Sequence, residues 1–275
     1  MTKKTEVAVQ ETKPIATLTD AQLALQAQMA EDVGSGFEEA TADCYAIPFV
    51  YILQSGSPQC KKSDGAYIQG AAEGQFFNSV SMEMYDGDEG IDVVPVLFQQ
   101  RFIAWGLREK GGGFKGEYTA AEAPRTHKDP DPTKNRDILN DYPDQQLVDT
   151  RVHYCLMKSP DDSWQPVVIT FSSTQVKKSK QWMSRMQAIQ MRNPATGMIG
   201  SAPMASRTWR LSTVPESNDQ GSWFGYKIGD AVEHLDPDLY AQGTAFRKAI
   251  QGGKAKAQHI DPNNVGSTED GPEPF

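Results

Sequence analysis

The chain has 275 residues, a net charge of −9, and 38% hydrophobic and 9% aromatic residues, enough for one large or two small domains around a true core. No stretch approaches the roughly 20 apolar residues of a bilayer span, and the opening MTKKTEV lacks an apolar signal core, so a cytoplasmic location with no membrane partner is expected. Cys44, Cys60 and Cys155 lie far apart, as do the histidines. This pattern excludes zinc-type spacing, fits free thiols in a reducing cytosol, and predicts no metal and no cofactor.

Residues 1–15 are polar and read as an arm. Residues 18–30 (LTDAQLALQAQMA) predict a helix capped by Thr19 or Asp20, with Leu18, Leu25 and Met29 on one face. The β-branched and aromatic run 47–53 predicts a strand with Pro48 at its start or at a sheet edge. A turn-rich loop follows over 55–74. Residues 75–85 alternate apolar and polar, the turn at 86–90 follows, and 91–105 reads as one long strand with a bulge or edge position at Pro95. The glycines of 110–115 predict a flexible loop, and 119–145 a polar excursion. Strands are expected over 148–157 and 165–172, and a helix over 175–192 that stops at Pro194. A hairpin follows over 208–214 and 222–228. The last helix spans 237–250, with Asp236 as cap, Pro237 at its first position and Gly252-Gly253 at its end.

Strands, one central amphipathic helix, then more strands predict a mainly β fold with a few helices. The order fits an OB-fold-like β-barrel with long insertions, or alternatively a β-sandwich. The expected organisation is an N-terminal arm and helix over 1–45, a core over 46–256 and an acidic tail over 257–275.

Charge is polarised along the chain. Residues 151–256 hold 14 basic and 8 acidic residues, whereas every other section is acidic, so an anionic ligand belongs on the second half. Three segments interleave rings with cations, the composition that grips single-stranded nucleic acid by stacking and phosphate contacts. The first holds Arg101, Trp105, Arg108, Lys110, Phe114 and Lys115, with Arg101, Ile103 and Trp105 on one side of the strand. In the second, a helix, Lys177, Lys178, Lys180 and Arg185 surround Trp182, while Met183 and Met186 mark the buried stripe. The third sets Arg207, Trp209 and Arg210 opposite Trp223 and Lys227 across a hairpin. The same residues also read as ordinary core rings and solvated basic faces. No nucleotide-binding Gly-x-x-x-x-Gly-Lys-Ser/Thr is present, no Gly-x-Ser-x-Gly frame surrounds a serine, and the acids at 86–92 lack EF-hand spacing, so no catalytic role is expected.

From 257 to the end there are four acids and no Lys or Arg, with three prolines and a final Phe275. A ring placed last, beside its own carboxylate and Glu269, Asp270 and Glu273, reads as an anchor for a partner's pocket. This ending resembles the C-terminal tails of bacterial and bacteriophage single-stranded DNA-binding proteins. The runs 48–58 (PFVYILQSGSP), 74–78 (GQFFN), 93–105 (VVPVLFQQRFIAW) and 111–114 (GGGF) look like those of phage replication proteins of the same kind. The resemblance covers about the first half of the chain and the tail. It implies an OB-like barrel that coats single-stranded DNA during phage replication, in the infected bacterial host.

The expectation is therefore a non-catalytic single-stranded DNA-binding protein of replication or recombination, whose tail recruits replication proteins such as a DNA polymerase or helicase. A homodimer stays open. Two rivals remain: a phage structural or interaction β-barrel with no nucleic-acid role, and a strand-annealing recombination protein.

Overall fold

The computed structural model describes residues 19–40, 44–219, 221–255 and 257, in two compact units that divide after Thr41. The first unit contains helix α1 (Asp20–Glu31). Thr19 accepts from the Gln22 backbone N–H (3.3 Å), while the Thr19 N–H donates to the Gln22 side chain (2.8 Å). This reciprocal box satisfies two of the helix's orphan donors. Leu23, Leu25 and Met29 are exposed, and no residue of α1 is buried.

The second unit begins with β1 (Val50–Ile52), β2 (Phe76–Asn78) and β3 (Met84–Tyr85), a small antiparallel sheet in that order. The alternating run 75–85 is thus a hairpin and not one strand. Asn78 accepts from the N–H groups of Val80 and Ser81 (3.0 and 3.1 Å), and Met82 takes a φ of 61° to close the turn. Next come β4 (Ile91–Gly106), β5 (Phe114–Tyr118), β6 (Thr126–Lys128), β7 (Asp137–Leu139), β8 (Gln145–Lys158) and β9 (Trp164–Ser172). Helix α2 (Val176–Ala188) follows. The hairpin of β10 (Gln190–Arg192) and β11 (Ile199–Ser201) comes next, then β12 (Arg207–Asn218), β13 (Gly221–Glu233) and α3 (Pro237–Gln251). The helix expected over 175–192 ends early because the chain turns extended at Ile189 and pairs into the hairpin, whose turn Asn193 caps through bonds from Ala195 and Thr196.

The protein is mainly β, with three helices among the described residues. Its large antiparallel sheet runs β13-β12-β4-β8-β7-β6, with β5 added to β4 and β9 to β8. No pairing among the described residues joins the two ends of that path, so the sheet is not a closed barrel there. Pro95 falls where its missing N–H does least harm. Pairing with β12 covers only Ile91 to Val93, β5 starts opposite Phe102, and a bulge lies between Pro95 and Leu97 against β8.

Side-chain alternation along β8 divides the core between the two faces of this sheet. His153, Cys155 and Met157 face α2, with Ile169, Phe171, Trp182, Trp209 and Leu211 packed around them and Val50, Ile52 and Phe76 closing the layer. Val152, Tyr154 and Leu156 face α3, against Val96, Leu239, Phe246 and Ile250. Gly243 lets α3 approach closely: a Cβ added there would come within 3.1 Å of Val96 Cγ1. Two fully buried indoles remove ~150–250 Å² each from water, about 4–6 kcal/mol apiece before entropy is subtracted. The face under α2 therefore carries much of the fold.

Candidate nucleic-acid interface

Trp182, Ser179 and Met186 set the position of α2, because they lie one helical turn apart and are its buried stripe. Trp182 stacks on the His153 ring at 4.7 Å, and the Ser179 hydroxyl shares a 2.8 Å hydrogen bond with His153 Nε2. Complete burial pushes the imidazole down to about 3, so it is neutral. With that stripe turned inward, the basic residues of α2 face outward beside β13. Between the two elements runs an open groove of about 640 Å³, walled by Lys177, Lys178, Lys180, Arg185 and Lys227 with Gln181, Ser184, Ile228 and the edge of Trp182.

The five cations are not equivalent. Lys178 pairs with Glu216 (3.0 Å) and Arg185 with Asp230 (2.9 Å). Lys177, Lys180 and Lys227 have no ion-pair partner among the described residues. Glu216 also accepts from Gln175 (2.8 Å) and the Trp223 indole (3.0 Å), tying the start of α2 to the β12–β13 hairpin. Burial raises the Glu216 carboxyl, but the bonds from Lys178, Gln175 and Trp223 outweigh it and hold the group below its ordinary value.

The local design of α2 is unusual for stability alone. No acid lies in its first turn, its N-cap Gln175 makes no side-chain cap, and Lys177 and Lys178 stand where the helix dipole is positive. Glu216, paired with Lys178 and bonded to Gln175, offsets part of that conflict, and an anion in the groove would offset more.

Sequence reasoning placed Lys177, Lys178, Lys180, Trp182 and Lys227 in the site, and the fold brings them together. Arg185, read from the sequence as one of the helix's basic residues, also lines the groove. Trp223, half-buried and bonded to Glu216, was left as a core candidate. As base-stacking platforms, however, Trp182 and Trp209 are corrected: they are 0% and 1% exposed. Trp209 instead packs edge-on against Trp182 at 6.1 Å and carries the Arg185 guanidinium over its ring at 4.9 Å.

Other predicted residues lie elsewhere. Arg101 is on the α3 side, paired with Glu117 (2.6 Å) near Tyr154 and Ile250, away from the α2 lysines. Phe98 sits beside His153, and Trp105 is seven residues farther along β4, about 23 Å at ~3.3 Å per residue. There Trp105 meets Phe114 across β4 and β5 (5.9 Å, edge-on), and Phe114 is 43% exposed. Arg108, Lys110 and Lys115 are exposed around this pair. The loop between the two strands turns on Gly111, Gly112 and Gly113, whose φ angles of 98°, 66° and 84° favour glycine.

Arg207 pairs with Glu233 (2.8 Å), and Arg210 grips Asp92 through two bonds (2.5 and 2.8 Å), which spends both cations within the fold. Asp86 accepts from the N–H groups of Asp88 and Glu89, so the acids at 86–92 build a turn and an ion pair. The proposed partner-binding residues Glu269, Asp270, Glu273 and Phe275 lie outside the described residues. No helix among the described residues is long and apolar enough to cross a membrane.

No curated protein and no solved structure matches the chain. The model of the Pam3 phage gp34-like protein family matches residues 17–256, and the chain therefore belongs to that bacteriophage family.

Proposed function

We propose that the protein is a non-catalytic single-stranded DNA-binding protein of phage replication or recombination, and that the α2–β13 groove grips the strand chiefly through its phosphates. The observation that carries this reading is the gathering of Lys177, Lys180 and Lys227, unpaired among the described residues, with Arg185 in one open groove. Burial of Trp182 and Trp209 removes base stacking from that groove. Stacking falls to the half-buried Trp223 at its margin and to the Trp105–Phe114 pair with Arg108, Lys110 and Lys115. Under the same proposal the C-terminal Glu269, Asp270, Glu273 and Phe275 recruit replication proteins such as a polymerase or helicase.

Fluorescence anisotropy with labelled single-stranded DNA, duplex DNA and RNA of matched length, across a salt series, tests the reading. Four groove cations predict a log–log salt slope of about −3 on a single strand, at ~0.7 per neutralised phosphate. Absence of binding at low salt overturns it. Equal binding of duplex overturns the single-strand assignment and leaves a general polyanion groove, a reading that the buried indoles favour.

A further inference from the structure

Among the five cations of the groove, only Arg185 is held from three directions. Its guanidinium lies over the Trp209 ring at 4.9 Å, donates to the Ile228 carbonyl at 3.0 Å, and donates to Asp230 at 2.9 Å. A guanidinium has five N–H donors in a rigid planar fork, so these two bonds leave donors free on a side chain that is still 39% exposed. Lysine ends are point charges on four-carbon stems and lose rotamer freedom whenever they close on a phosphate. Arg185 has already lost much of that freedom to the indole beneath it and the carbonyl beside it. Asp230 is different in kind. It is fully exposed, and Arg185 is its ion-pair partner. An acid in that position stabilises little, yet it occupies the edge of the fork that a phosphate would take.

Building on the phosphate-binding reading of the groove, we propose that Arg185 is its orienting contact, a two-pronged seat for one backbone phosphate held in place by Trp209, and that Asp230 is a built-in competitor for that seat. Trp209 then serves the ligand without touching it: the ring holds the cation and the cation holds the phosphate. Asp230 keeps the seat occupied by a like-shaped carboxylate until a phosphodiester displaces it. The groove consequently prefers a continuous backbone, whose neighbouring phosphates reach Lys177, Lys180 and Lys227 together, over isolated anions that must evict Asp230 alone.

The test compares the full chain with Arg185→Lys, Asp230→Asn and Lys180→Ala, by anisotropy of fluorescein-labelled oligo-dT over a salt series, with inorganic phosphate as competitor. Arg185→Lys keeps the charge and loses the fork, so affinity falls about ten-fold while the salt slope stays unchanged. Lys180→Ala lowers the slope by about 0.7. Asp230→Asn raises affinity about two- to five-fold and lets free phosphate compete at lower concentration. Arg185→Lys binding like the unsubstituted chain overturns the orienting role. Weakening by Asp230→Asn shows that the acid orients the fork and overturns the competitor role. If Arg185→Lys unfolds on thermal melting, the Asp230→Asn result decides, and an unchanged affinity overturns the proposal. Failure of the unsubstituted chain to bind oligo-dT overturns the groove reading itself, a result distinct from these.

Discussion

Helices α2 and α3 cover opposite faces of one sheet and are built by opposite rules. Asp236 caps α3 by accepting from Asp238 and Leu239 (2.9 and 3.1 Å), Pro237 starts it, Asp238 supplies an acid to its first turn and Lys248 a base to its last. Each of these choices favours the helix. In α2 the cap is missing and lysines crowd the positive end, so its place depends on Trp182, Ser179 and Met186 beneath it. Their surroundings differ in the same sense. Beside α3 lies an apolar cavity of about 630 Å³ lined by Ile47, Pro48, Phe246 and Ala249, whereas beside α2 lies the cationic groove. A helix whose local sequence opposes its own stability, beside two other described α-helices that are capped, is what the proposed ligand-binding role of this surface would produce.

That contrast can be broken in four ways. Trp182→Ala should cost about 3–5 kcal/mol in urea denaturation, because the indole pins α2 to His153; a loss below ~1 kcal/mol would show that α2 is held by other means. Acidification gives the next effect. His153 is neutral in the fold with its value near 3, while in the unfolded chain it takes a proton below about 6.5. Between those values the unfolded state binds more protons, so stability is complete above pH 6.5 and falls as pH drops toward 3, by at most about 1.4 kcal/mol per pH unit from this group. His153→Gln should flatten that slope in pH-dependent melts, and an unchanged slope would refute the assignment.

The double change Lys177→Glu with Lys180→Glu should weaken oligo-dT binding by at least about ten-fold while raising stability by about 0.3–1 kcal/mol, through Lys177 in the first turn. Parallel losses of both would contradict the claim that these lysines serve a ligand at the helix's expense. The smallest effect is expected from Asp236→Ala, about 1 kcal/mol of stability with oligo-dT affinity unchanged; a binding defect there would erase the distinction between the helices.

Much of this was legible in the sequence where a periodic signal was strong. The long β4 and β8, the bulge near Pro95, the cap at Asp236 and the basic helix all follow from alternation, Pro chemistry or 3.6-residue spacing. The short β6 and β7 were hidden within a polar excursion, because three-residue strands such as Thr126–Lys128 and Asp137–Leu139 carry no period of their own and form by pairing with each other and with β8. The three ring-and-cation segments were only partly legible for a related reason. Composition put rings and cations side by side, but only tertiary pairing decides that Arg207 and Arg210 are taken by Glu233 and Asp92, and that Trp209 faces inward. Arg185 was visible as one cation of the basic helix, but its seat over Trp209 was not, because that ring stands on another strand.

Cys155, sealed between the sheet and α2 with its thiol pushed up by burial, has one more consequence. The exposed Cys44 offers its sulfur to alkylating reagents at once. Cys155 becomes reactive only when that layer parts, so the rate of its labelling times the opening of the molecule, and any oligonucleotide that clamps α2 should slow the clock.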